Sequence, residues 1–181
     1  MSIESIIEGV IEREKGYANN PNDTGGETMW GITRATATRN GYDGLMRDLR
    51  RDQASLIYLR EYVTAPGFNK VAAINAAIAE ELVDSGVNCG PGLPGPWLQR
   101  TLNLLNRQAK LFPDLTIDGQ IGPATLTALQ SLLTYRGKDG ETVILRCLNC
   151  LQGARYIEIT ENRAANEEFF FGWMLNRVGV A

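Results

Sequence analysis

The opening segment restricts the rest of the chain. Ile3, Ile6, Ile7, Val10 and Ile11 recur at the i, i+3, i+4, i+7, i+8 spacing of an amphipathic helix whose apolar stripe faces a core. Glu14 continues that stripe. At about 100° per residue, position 14 falls about 20° from position 3, so its carboxylate is expected to be carried inward while Glu4, Glu8 and Glu12 point elsewhere. Partial burial disfavours the charged form, and a helix C-terminus already carries partial negative charge. A shift from roughly 4.3 to roughly 6 corresponds to about 2.3 kcal/mol and makes a glutamate a general acid. The plain alternative is a snorkelling glutamate at a frayed helix end, and the residues that follow weigh against it.

Gly16 is a good helix stop, and Asn19-Asn20-Pro21-Asn22-Asp23-Thr24-Gly25-Gly26 is a dense run of turn formers, followed by a β-compatible stretch from Glu27 to Ile32. The pattern predicts helix, turn and small hairpin. It brings a second carboxylate, Asp23, and a hydroxyl, Thr28, close behind Glu14 in sequence. Two carboxylates across a cleft are what glycoside hydrolysis needs, one to protonate the leaving oxygen and one to activate water or attack the sugar carbon.

Glu14-x-Gly16-Tyr17, then Asp23-x-Gly25-Gly26-x-Thr28 and Gly31-Ile32-Thr33, resembles the N-terminal signature of glycoside hydrolase family 108, the muramidases of phages, prophages and bacterial export clusters. It is also similar to the glutamate, aspartate, threonine arrangement of phage-type lysozymes in family 24. The departure is Lys15, where a second glycine would stand; an ammonium reaching the acid would lower its pKa. The resemblance implies hydrolysis of the β-1,4 bond between N-acetylmuramic acid and N-acetylglucosamine in bacterial peptidoglycan. Glu14 would be the acid, Asp23 the base or electrostatic stabiliser, and Thr28 the hydroxyl orienting water, with Tyr17 and Trp30 contacting substrate. Two alternatives stay open: a lytic transglycosylase using Glu14 alone, and a non-catalytic cell-wall binding protein. No metal or organic cofactor is called for, because protonation and water activation are both carboxylate work.

Composition narrows the function classes. A net charge of −3 argues against nucleic acid as the main ligand, since neutralising phosphates takes a clustered basic surface. The chain has no histidine, which excludes Ser-His-Asp and Cys-His catalysis and every histidine-ligated metal site. Cys89, Cys147 and Cys150 read as buried, reduced thiols. The first segment is acidic on its polar face and matches neither a signal peptide nor a membrane span. These features fit a monomer made in a host cytoplasm and released to the periplasm by a holin or an export system, as a phage endolysin or secretion-operon muramidase is.

Along the remaining chain, Thr33 is expected to cap a short helix to about Arg39, and Asp52 a second one through Val63. An Ala-rich stretch from Asn75 to Cys89, with Ile78, Leu82, Val83 and Val87 apolar on several sides, reads as a central buried helix. It carries Asp84 and Asn88 one turn apart, either lining a sugar cleft or forming a buried hydrogen-bonding pair. Their surroundings, Asp84-Ser85-x-Val87-Asn88-x-Gly90-Pro91, look like a recurrent segment of these muramidases. Gly90 to Pro96 is the one Gly/Pro-rich stretch, and it places a domain boundary there, with residues 1–90 catalytic and 91–181 a helical peptidoglycan-binding subdomain. Beyond it, Asp118-Gly119-Gln120-Ile121-Gly122-Pro123-Ala124-Thr125 resembles the loop of peptidoglycan-binding domains, which would give Asp118, Gly119 and Gly122 a binding role. A purely structural turn leading into a helix at Pro123 is the alternative. Further helices are expected over about 140–162 and 165–178, with Phe169 to Trp173 in the core; aromatic faces against the apolar faces of sugars are the alternative. The fold class expected is mainly α, lysozyme-like, with a small β-hairpin after the first helix and a helical C-terminal subdomain.

Overall fold

The computed structural model describes residues 2–14, 16–19 and 26–179. Asp23 and Lys15 therefore lie outside the described residues. The chain forms two compact units, Met1–Ala65 and Pro66–Ala181, each with its own core.

In the first unit, α1 spans Ile3–Arg13 and buries Ile6, Ile7, Val10 and Ile11. Its start is fixed by a reciprocal cap: Ser5 N–H donates to Ser2 Oγ at 3.2 Å, and Ser2 N–H to Ser5 Oγ at 2.9 Å, which satisfies two otherwise orphaned donors. Three two-residue strands follow, β1 (Tyr17–Ala18), β2 (Thr28–Met29) and β3 (Ile32–Thr33). They form one antiparallel sheet in sequence order, so the small β element expected after α1 has three strands. Thr33 caps α2 (Arg34–Arg39), its side chain accepting from Thr36 N–H. A single 3₁₀ turn, Met46–Asp48, buries Met46.

Helix α3 covers Arg51–Leu59 and continues as a π-helical turn over Arg60–Thr64. Its cap is Arg50 rather than Asp52. Asp52 is instead held by the Arg50 guanidinium at 2.9 and 3.0 Å, and Arg50 N–H donates to Gln53 Oε1 at 3.1 Å. Arg51 binds Glu8 of α1, and Ser55 Oγ reaches the same carboxylate at 3.2 Å. Such half-exposed pairs add little stability; Ile11, Met46, Leu49, Ala54 and Tyr58, all buried, hold the unit.

The second unit is helical: α4 (Phe68–Ala72), α5 (Ala76–Cys89), α6 (Pro94–Leu105), α7 (Pro123–Glu161) and α8 (Glu167–Arg177). Asn75 caps α5 by accepting from Ile78 N–H at 2.9 Å. As expected for a central helix, α5 buries Ile78, Ala79, Leu82 and Val83 completely and packs on α4, α6 and α7.

Helix α7 starts at Pro123 and runs to Glu161, with a kink at Gly137 (φ 58°, ψ −139°) that only glycine takes without strain; the stretches on either side of it are the separate helices expected there. The aromatic run departs from expectation. No residue of α8 is buried. Phe169 is 54% and Phe171 76% exposed, so the aromatic run is not a core segment. Trp173 packs on α7, its ring 5.2 Å from that of Tyr156. The three thiols are free, but Cys150 is exposed and Cys89 and Cys147 are only partly buried, where all three were expected in the core. Burial pushes the Cys89 thiol up to about 11, which leaves it protonated and inert.

Candidate active site

Glu14 caps the C-terminal end of α1, its N–H bonded to Val10 O at 3.0 Å. Gly16 then takes φ +88° and turns the chain into β1. The register pairs Tyr17 with Met29 and Ala18 with Thr28, and then Thr28 with Thr33 and Met29 with Ile32. The β2–β3 connection is Trp30-Gly31, both left-handed at φ +56° and +74°. Positive φ at both central positions is the geometry of a tight hairpin turn, and a tryptophan there is uncommon.

That strained turn is bolted from two directions. Trp30 Nε1–H donates to Leu49 O at 2.8 Å, and the Tyr58 hydroxyl of α3 donates to Trp30 O at 3.0 Å. Burial, reinforced by neighbouring Tyr62 and Glu14, pushes the Tyr58 phenol far above its ordinary value, so it remains a donor. Gly31 meets Glu14 directly. A Cβ there would stand 2.9 Å from Glu14 Cγ and 2.9 Å from Tyr58 Oη. The stem of Glu14 is thus seated on bare backbone beside a fixed hydroxyl. Glu14 is exposed; the inward burial expected from its place on the α1 stripe is absent, because the helix ends at Arg13 and the residue leaves it at ψ +41°.

Tyr17, half-exposed, donates its hydroxyl to Glu27 Oε1 at 2.8 Å, and Glu27 Oε2 pairs with Arg34 at 3.1 Å. The Tyr17 hydroxyl, with Arg34 and Arg47, holds the Glu27 carboxyl below the usual range. The Arg47 guanidinium lies 5.8 Å from the centre of the Tyr17 ring, within cation–π range. By strand alternation, Thr28 shares its face with Ala18 and Thr33, opposite Tyr17 and Met29. The structure therefore gathers Glu14, Tyr17, Thr28 and Trp30 around one hairpin. Tyr58, Glu27 and Arg47 also belong there. Sequence reasoning missed them because they make their contacts across long or irregular segments that carry no periodic signal.

The remaining site candidates belong to the second unit. Asp84 is paired with Arg177 of α8, and Gln152 Nε2 of α7 donates to its other oxygen at 3.2 Å. Asn88 turns back to Asp84 O at 2.7 Å. Both partly buried side chains make these contacts within the helical bundle. The loop carrying Asp118 and Gly119 is fastened to α6 by Gln99, which is 2% exposed. Gln99 Nε2 donates to Asp118 Oδ1 at 2.8 Å and to Gln120 O at 3.1 Å, while its Oε1 accepts from Gly119 N–H at 2.7 Å. Gly122 immediately precedes α7, and its O accepts from Leu126 N–H at 3.1 Å.

With this geometry in view, the comparisons with known proteins are decisive. Residues 7–90 match the family described as Glycosyl hydrolase 108, and residues 94–178 match the Predicted Peptidoglycan domain. The chain carries a glycosyl hydrolase 108 domain followed by a peptidoglycan domain. It is a glycoside hydrolase directed at peptidoglycan. The glycosyl hydrolase 108 match contains the whole hairpin, Glu14 and α3. Among solved structures, that of Brucella abortus SagA is similar at 25% identity, covering 96% of this chain and 87% of that one with a TM-score of 0.57. No curated protein matches the chain. Among the described residues, no helix is long and apolar enough to cross a membrane.

Proposed function

We propose that this glycosyl hydrolase 108 protein is an N-acetylmuramidase that hydrolyses the β-1,4 bond between N-acetylmuramic acid and N-acetylglucosamine. The reading rests on one observation above others: a solvent-accessible glutamate at a helix end, its stem seated on Gly31 beside the Tyr58 hydroxyl, inside the matched hydrolase region. Glu14 donates its carboxylic proton to the glycosidic oxygen as the C1–O bond breaks. Positive charge then develops at C1 of the muramic residue. Asp23 either faces that charge as carboxylate or takes a proton from water, and the Thr28 hydroxyl orients the water. Tyr17 and Trp30 offer aromatic surface to the sugar rings.

In this reading residues 1–90 carry the chemistry and 91–181 retain the cell wall. The protein acts as a monomer on periplasmic peptidoglycan after holin- or export-dependent release, as an endolysin causing host lysis. Asp84, Asn88, Asp118, Gly119 and Gly122 assist by holding the helical unit in shape.

Digestion of purified sacculi, followed by mass spectrometry of the muropeptides, tests the proposal. Reducing muramic ends are expected, and Glu14→Gln should abolish their release while sparing fold and sacculus binding. Anhydro-muramic ends would replace it with a transglycosylase, and more than a few per cent residual rate in Glu14→Gln would remove Glu14 from the role.

A further inference from the structure

In the second unit the loop that resembles a peptidoglycan-binding motif has its main polar atoms consumed. Asp118 Oδ1 accepts from Gln99 and from Gln120 N–H at 2.8 Å each, and Gly119 N–H is taken by Gln99. A second surface of the same unit is open. The N-terminal half of α7 presents Thr127, Gln130, Ser131 and Thr134, spaced as one helical face. With Ile74 and Tyr135 they line a depression of about 790 Å³. It is open to solvent and lined by aliphatic and aromatic carbon together with hydroxyl and amide groups.

Tyr135, 49% exposed, sits at the end of this depression and gathers two cations. The Arg107 guanidinium lies 5.4 Å from its ring centre and donates to its hydroxyl, and Arg136 lies at 5.0 Å. Both are exposed, and neither has a carboxylate partner among the described residues. The nearby carboxylate, Glu141, is already occupied by Lys138 and by Asn75. Arg107 reaches Tyr135 from an unusual backbone: Arg107, Gln108 and Ala109 are all left-handed, at φ +55°, +61° and +58°. Consecutive non-glycine residues in that region are costly, and such strain collects where a side chain must be presented.

We propose that this face of α7, with Arg107 and Arg136 held by Tyr135, is a binding site for peptidoglycan that carries stem peptides. The hydroxyl and amide row meets the sugar or peptide polar groups, and the paired guanidinia meet the stem-peptide carboxylates. Two exposed arginines without a carboxylate partner among the described residues favour an anionic ligand, and a planar guanidinium fits a carboxylate with two parallel hydrogen bonds. The site deepens the muramidase reading and rests on it for the identity of the polymer. Catalysis stays with the first unit; this surface chooses glycan that still bears peptide.

The test uses the full chain carrying Glu14→Gln, so that ligand is not consumed, and calorimetric titration with a soluble disaccharide–tetrapeptide and with the same disaccharide stripped of peptide and amidated at its lactyl carboxyl, which leaves it without a carboxylate. Arg107→Ala with Arg136→Ala should weaken the peptide-bearing ligand tenfold or more and leave the stripped one unchanged, with the melting temperature of the chain retained. Arg107→Gln alone, which keeps the stem and the turn, should give an intermediate loss. Unchanged affinity in the double variant overturns the site, and equal loss for both ligands overturns carboxylate recognition. Digestion of peptide-free glycan strands by the otherwise wild-type chain separates the two readings. If those strands and intact sacculi are both left uncut the muramidase fails, whereas cutting with unaltered binding in the double variant removes only this site.

Discussion

Glu14 and Gly31 are in contact, the Cβ–Cγ stem of the glutamate resting where a side chain at position 31 would have to be. The orientation of the proposed acid is thereby set by the absence of a methyl group. Gly31→Ala faces two penalties together: φ +74° disfavours any Cβ, and the new atom would meet both Glu14 and Tyr58. The left-handed conformation alone costs about 1–2 kcal/mol, to be read by chemical denaturation. The lytic rate should fall by more than stability explains, by an order of magnitude or more at temperatures where the variant remains folded. A variant that loses stability but keeps its rate would show that the seat of Glu14 does not matter to chemistry.

Asp23→Asn and Thr28→Ala separate water activation from single-carboxylate chemistry. Asparagine keeps most of the turn-forming capacity of Asn22-Asp23-Thr24-Gly25, so it tests charge. A loss of about 10² or more is expected for Asp23→Asn, and a smaller one for Thr28→Ala. Sacculus lysis at close to wild-type rate with anhydro ends among the products would leave Glu14 acting alone.

Glu81 makes stability depend on pH near neutrality. Burial, with Asp84 alongside, raises its carboxyl from 4.5 to about 7. In the unfolded chain the same group ionises near its ordinary value, so the unfolded state loses its proton first as pH rises. The protonated folded form is therefore favoured at low pH, and its stability is lost progressively between about 4.5 and about 7. The chain has no histidine, so no imidazole titration overlaps that window. The lowered carboxyls, Glu4, Glu8, Glu27, Asp52, Glu61, Asp118 and Glu141, act with the opposite sign, at pH values below the ordinary carboxylate range. Thermal melting should move down between pH 5.5 and pH 8, and Glu81→Gln should flatten the difference. A melting temperature that rises over that interval contradicts the assignment.

A fragment ending at residue 90 should not fold cooperatively. It would expose the faces of α5 formed by Ile78, Leu82 and Val83, which are fully buried in the second unit where α5 packs on α6 and α7. Covering about 90 residues leaves limited buried surface in any case. Circular dichroism with a broad, non-sigmoidal melt is the expected result; a sharp transition with full lytic activity would mean two independent modules.

Several elements could be read from residues alone because their signals are local. The stripe of α1, the Thr33 cap and the Pro123 start each depend on neighbours within one turn, and each stands where expected. The failures have a shared physical cause. Glu14 leaves its stripe because the hairpin ends the helix one residue before it, and a helical wheel carries no information past the last turn. Phe169 and Phe171 look like core by composition, yet both side chains are exposed on α8, while Trp173 stacks on Tyr156 of α7. At the site, Tyr58 binds Trp30 across 28 positions, and no spacing rule anticipates such a contact.

Gln99 stands in for a missing strand. Its side-chain amide accepts from one backbone N–H and donates to a neighbouring backbone carbonyl, the same exchange a peptide group offers across a ladder. The Asp118-Gly119 loop is therefore paired as if in a sheet, although the partner is a single residue on a helix. Its shape belongs to the protein alone and is complete before any ligand arrives. A substitution at Gln99 or Asp118 that lowers cell-wall retention would accordingly report an unzipped loop, with a fall in melting temperature accompanying it.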